Sequence, residues 1–159
     1  VGLNQQERNM TNEDVIDVLN DLIENCRDGE YGFRACAEHT QSTDLIELFQ
    51  TRARECNSAA VELQSLVTQL GGTPESSGTA SGAVHRGWVA VKGTLSGYSD
   101  LSMLEECERG EDVAKARYQK AMGQDLPPAV QLVVARQYEG VVRNHDQIRA
   151  LRDRLRATS

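Results

Sequence analysis

Apolar residues recur along most of this chain at alternating steps of four and three, the spacing of one face of an α-helix. The first stripe runs Val15, Leu19, Leu22, Cys26, Gly29, Phe33, Ala37. Thr11 precedes it, with Asp14 at the capping-box position. A break at "QST" follows, where Ser42 or Thr43 can cap a second helix. Its stripe is Leu45, Phe49, Arg52, Cys56, Ala59, Leu63, Leu66 and Leu70; Gly71-Gly72 supplies a left-handed C-cap and Pro74 forbids continuation. A third helix is predicted from Ser99 or Asp100 to Gly123, burying Leu104, Cys107, Glu111, Ala114, Tyr118 and Ala121. After "DLPPAV", with Asp125 as cap and prolines in the first turn, a fourth presents Val130, Val134, Gln137, Val141, Asn144, Ile148, Leu151 and Leu155.

Residues 73–99 differ in composition. "TPESSGTASG" reads as a loop, and "AVHRGWVAVKGTL" as a short amphipathic helix with Val84, Trp88, Val91 and Leu95 on one face. Short turns make helices one and two antiparallel, and likewise three and four. A connection of about 27 residues is long enough to cross a whole bundle, so helices two and three run the same way. The expected fold is therefore all-α: a ferritin-like four-helix bundle with a long crossover between helices 2 and 3 that contains a short extra helix. Trp88 is expected to be at least half buried against the bundle. Residues 1–10 read as a disordered or appended N-terminus, and residues 11–156 as the bundle domain.

A length of 159 residues suits one domain, and one Trp, four Tyr and two Phe imply a core of small aliphatic side chains. The net charge of −7 opposes nucleic-acid binding. No apolar run is long enough to span a membrane, and no signal peptide is visible. Cys26, Cys36, Cys56 and Cys107 match neither a CxxC pair nor a zinc ribbon. They read as buried thiols in a reducing cytoplasm. "GTASG" lacks the spacing of a phosphate loop, and no Ser-His-Asp arrangement is legible.

The polar residues on the apolar stripes carry the candidate chemistry. Carboxylate-bridged di-metal bundles need about four carboxylates and two imidazoles facing inward, commonly as Glu-x-x-His pairs. Glu30, Glu55, Glu111 and His145 fall at one height, roughly 16–20 Å from one end at ~1.5 Å rise per residue. They are the metal-ligand candidates, with Glu108 as a substitute for Glu111 and iron or manganese as the cation. Neither Glu-x-x-His pair is intact: Ser58 follows Glu55 at the third position, and Val142 precedes His145. Arg52 offers a different reading. On the same stripe, it can neutralise Glu30, Glu55 or Glu111, with Gln137 and Asn144 joining a metal-free polar layer.

The segments "LNDLIENCRDGEYGFRACAE", "LVTQLGGTP…SG…HRGWVAVKGTLSG", "LEECERGEDVAKARYQKAM" and "HDQIRALRD" resemble a family of small bacterial ferritin-like four-helix proteins known mainly as a domain of unknown function. The resemblance spans about Asn12 to Leu155. It implies a ferritin-like fold and brings no established activity.

Two functions follow. The first is a non-catalytic bundle with a degenerate interior site, acting by self-assembly or partner binding. The alternative is a metal-dependent oxidoreductase or iron-handling protein. No catalytic residue is assigned. The apolar face of the crossover, outside a bundle with four stripes of its own, points to a homodimer.

Overall fold

The computed structural model describes residues 10–76 and 99–158. They form four helices: α1 (Asn12–His39), α2 (Thr43–Gln69), α3 (Asp100–Met122) and α4 (Pro128–Thr158). No strand occurs among the described residues. The predicted extra helix, and Trp88 within it, lie outside them.

Helix boundaries follow the local chemistry. Thr11 and Asp14 close a reciprocal capping box. Ser42 accepts from the Leu45 amide and Ser99 from the Ser102 amide, each satisfying a free N–H of a first turn. Gly71 takes φ +84, which ends α2. The fourth start differs from expectation. Asp125 is exposed and α4 begins at Pro128, its first bond accepted by the Pro127 carbonyl from Gln131 N–H at 2.9 Å. A helical residue just before a proline is disfavoured by the proline ring, so the two prolines push the start past Asp125.

Contacts at the two ends fix the direction of each helix. Along α1 and α3, Arg117 meets Asp21, Tyr118 meets Cys26, Cys107 meets Cys36 and Asp100 meets Thr40. As the α1 numbers rise from Asp21 to Thr40, the α3 numbers fall from the 117–118 level to 100, so these helices are antiparallel. α1 is also antiparallel to α2 through the short turn at 40–42. Hence α2 and α3 run parallel, as the crossover topology requires. The flanks agree: Thr73 and Glu75 are tied to Asn20 near the start of α1, whereas Asp100 accepts from the Thr40 hydroxyl at the other end.

The apolar core falls into two clusters. One, nearer the start of α1, is built around Leu19, Leu22, Leu63, Val67, Tyr118 and Val134. The other holds Phe33, Phe49, Met103, Leu104, Cys107 and Ile148. Buried phase in α2 departs from the predicted stripe: Ala60 and Val67 are buried where Ala59 and Leu66 were expected, and those two are half-buried. A strict four-three alternation drifts by about 20° per heptad against a straight helix, so along α2 the inward face moves progressively off the predicted stripe toward the following residue. α1 and α2 approach closely at Gly29, where an added Cβ would lie 3.0 Å from Cys56 Sγ.

Replacing Gly71 by Ala forces a side chain into the left-handed region and is expected to cost about 1 kcal/mol. The urea midpoint should fall with an unchanged slope. An unchanged midpoint would show that this turn does not hold the end of α2.

Candidate functional site

The two core clusters are separated by charge. Arg52, on α2, donates from Nε to Glu111 Oε1 at 2.7 Å and from Nη2 to Oε2 at 3.4 Å. Glu111 is 2% exposed and Arg52 is 8% exposed. The guanidinium also lies 5.7 Å from the Phe33 ring centroid, in cation–π range. Burial by itself disfavours the Arg52 charge, but the Cys56 sulfur and the Glu111 carboxylate outweigh it and raise the pKa above the ordinary arginine value.

Beside this pair lies a cavity of about 660 Å³. Its inner wall includes Cys26, Cys56, Glu111 and Tyr118, and its rim includes Glu55, Ser58, Arg136 and Arg143. It opens between α2 and α4, which touch far less than α1 and α2 or α3 and α4 do. Gly110 and Gly140 contribute to its lining, so that no side chain fills it there. A polar chain runs across its wall. The Cys26 sulfur is 3.3 Å from the Tyr118 hydroxyl, which donates to Gln137 Oε1 at 2.8 Å. Gln137 Nε2 in turn donates to Glu62 Oε1 at 2.8 Å, and Glu62 accepts from Arg136. Gln137 thus joins the polar layer as its stripe position suggested, while Asn144 donates locally to the Gly140 carbonyl.

The four sequence candidates do not gather. Glu111 belongs to Arg52. Glu30 is buried but accepts from Arg27 at 2.9 Å and pairs with Arg34 at 2.8 Å. Glu55, expected to face inward, is exposed at the cavity rim. It sits one helical step of about 100° before Cys56, and it is the thiol that points inward. His145 is fully buried, yet it meets a different pair of acids. Its Nε2 is 2.7 Å from Asp112 Oδ1 and 3.8 Å from Glu108 Oε1. Among the described residues, Glu108, Asp112 and His145 are the one group whose donor atoms converge, all within 4.8 Å of one another. Glu108 had been the substitute for Glu111; Asp112 was missed. Its signal was present: Glu108 and Asp112 are four apart and share one face of α3.

Four helices joined by a crossover, with this charged layer between two apolar cores, define a ferritin-like bundle. The chain belongs to the DUF2383 family, a domain of unknown function whose sequence profile matches residues 14–124. The fold is similar to that of a Mycobacterium smegmatis Dps1 mutant, F47E, with a TM-score of 0.69 at 14% identity, covering 93% of this chain and 98% of that one. No curated protein matches the sequence. Among the described residues, no helix is long and apolar enough to cross a membrane.

All four cysteines are free and buried. Burial pushes the Cys26 thiol up to about 11, with its hydrogen-bond contact to Tyr118 acting in the opposite direction, and burial likewise raises Cys56. At pH 8 only about one Cys26 in a thousand is thiolate. Alkylation of the folded protein at that pH should therefore leave Cys26 unlabelled, and labelling at the rate of a free thiol would disprove the packing. The sign of the pH dependence follows. Between the unfolded value of 9.0 and the folded value of about 11, the folded state holds more protons. Stability should be undiminished below pH 9 and decline as pH rises to 11, by on the order of 2 kcal/mol from Cys26.

Removing one member of the Arg52–Glu111 pair leaves a buried charge alone. Arg52→Met should cost about 3–5 kcal/mol, whereas Arg52→Met with Glu111→Leu should recover most of that loss. Additive effects in urea unfolding would show that the two are not coupled.

Proposed function

We propose that this chain is a non-catalytic ferritin-like protein of the bacterial cytoplasm that works by binding, as a homodimer or with a protein partner. The observation that carries the reading is the Arg52–Glu111 pair. A di-metal carboxylate centre needs interior acids free to face cations. Here the interior acid faces a guanidinium instead, and Glu30 is also matched by arginines. The positive charge a metal would supply is built into the chain.

Assembly is supported by the α2–α4 side. Val61 is 52% exposed and Leu132 73% exposed. By helical spacing, Val61 shares its face with Arg54 and Ser58, and Leu132 shares its face with Arg136 and Arg143. Both residues therefore extend the rims of the cavity. A two-fold pairing that buries this side covers both at once, and such isologous pairing is the commonest way to close an oligomer. Four reduced thiols suit a reducing compartment. The net charge of −7 leaves nucleic acid an unfavoured partner.

Two measurements test this. Sedimentation equilibrium at micromolar concentration should give a mass twice 17.5 kDa, shifting toward the monomer on Leu132→Asp. A monomer at every concentration overturns self-assembly. Aerobic oxidation of ferrous iron should proceed no faster with the protein than in buffer. An acceleration that Glu111→Gln abolishes would replace this reading with an iron-handling one.

A further inference from the structure

The side-chain cluster on the α3–α4 seam goes beyond that reading, because none of its three residues lines the cavity. We propose that Glu108, Asp112 and His145 form a binding site for a divalent transition-metal cation of the zinc type.

The seam is a regular antiparallel ladder. Glu105 faces Arg156, Glu108 faces Arg152, Asp112 faces His145 and Gln119 faces Tyr138. Three of these rungs are ordinary polar pairs. The Asp112–His145 rung is not. His145 Nδ1 is 3.3 Å from Asp146 Oδ1, and a proton on that nitrogen leaves Nε2 with its lone pair. That Nε2 is buried and has no hydrogen-bond partner, although Asp112 Oδ1 lies only 2.7 Å away. The carboxylate oxygen is off the direction a ring N–H would take. A fully buried imidazole nitrogen without a hydrogen bond is costly, and a lone pair facing carboxylate oxygens is repelled by them. A cation between them removes both penalties.

The donor set selects the cation class. One imidazole and two carboxylates suit zinc and its first-row neighbours, and magnesium or calcium would prefer oxygens throughout. The surroundings support ligation. Glu108 Oε2 is occupied by Arg152, which turns Oε1 toward His145. Asp146 orients the imidazole from behind, the arrangement by which outer carboxylates fix a ligating histidine. Arg149 Nε stands 3.6 Å from Glu108 Oε1, but its side chain is 53% exposed and has room to withdraw. Asp112, at 59% exposure, leaves the site open to solvent for entry of the ion.

The test is calorimetric titration of the full reduced chain with zinc chloride at pH 7.5. The unmodified protein should take up one equivalent. Outer-shell partners of a ligand are worth about 10–100-fold in affinity, so loss of a ligand itself, in Asp112→Asn, should weaken uptake by at least about tenfold. Asp112 is exposed enough for that variant to fold, and circular dichroism checks it. His39→Gln, at the far end of α1, should bind as the unmodified protein does. Zinc affinity unchanged by Asp112→Asn, loss of uptake in His39→Gln, or no uptake by the unmodified protein would each overturn the site. They would leave His145 and Asp112 as a purely structural pair.

Discussion

A buried guanidinium that must keep its carboxylate is the constraint around which the bundle is arranged. Arg52 is held by Glu111 from across the interior, and the apolar core divides on either side of the pair. Neither charge could sit there alone, because desolvation would cost several kcal/mol per ion. The pair therefore ties α2 to α3, two parallel helices that no short loop joins. It also occupies the height at which the core would otherwise be continuous. α2 and α4 stay apart at this level, and the cavity with its polar wall fills the separation. Small residues make the arrangement tolerable. Gly29 lets α1 come close to Cys56, and Gly110 keeps the wall open beside Glu111.

Much of this was legible in the sequence because it is periodic. The stripes, the capping box at Thr11, the serine caps and the glycine stop after α2 are local signals, and each depends on residues within a turn or two. The direction of α3 was legible for a different reason: the length of the connection left a crossover as the natural route. The burial of Arg52 and Glu111 followed from their stripe positions. Arg52's choice among Glu30, Glu55 and Glu111 did not. That choice depends on helix rotation, and a single residue step turns a side chain by about 100°. Glu55 lost its inward position to Cys56 by one such step, as Ala59 did to Ala60. Glu30 was legible as buried, but Arg27 and Arg34 lie within one turn of it on its own helix and claim it first.

Asp112 was hidden by the same geometry seen from the other side. A search for inward-facing ligands looks down the Cys107, Glu111 and Ala114 stripe. Glu108 and Asp112 each stand one residue beyond that stripe and so turn toward α4. His145 suggested an interior ligand because it falls at the height of Glu30, Glu55 and Glu111 along the bundle. In the structure it is buried against the seam instead. A residue can be entirely inside a protein and still face the groove between two helices.

α3 thus separates two kinds of polar chemistry on adjacent faces. Inward, Glu111 is neutralised by a cation that belongs to the chain and cannot leave. Toward α4, Arg152 takes one oxygen of Glu108 and Arg149 stands 3.6 Å from the other, while the buried His145 nitrogen between Glu108 and Asp112 has no hydrogen bond. On the inner face both Glu111 oxygens are engaged by Arg52 as folded. The outer face carries the unmet demand. The interior acid of α3 is neutralised by Arg52, and the donor atoms that converge lie one helical step away, on the α3–α4 seam.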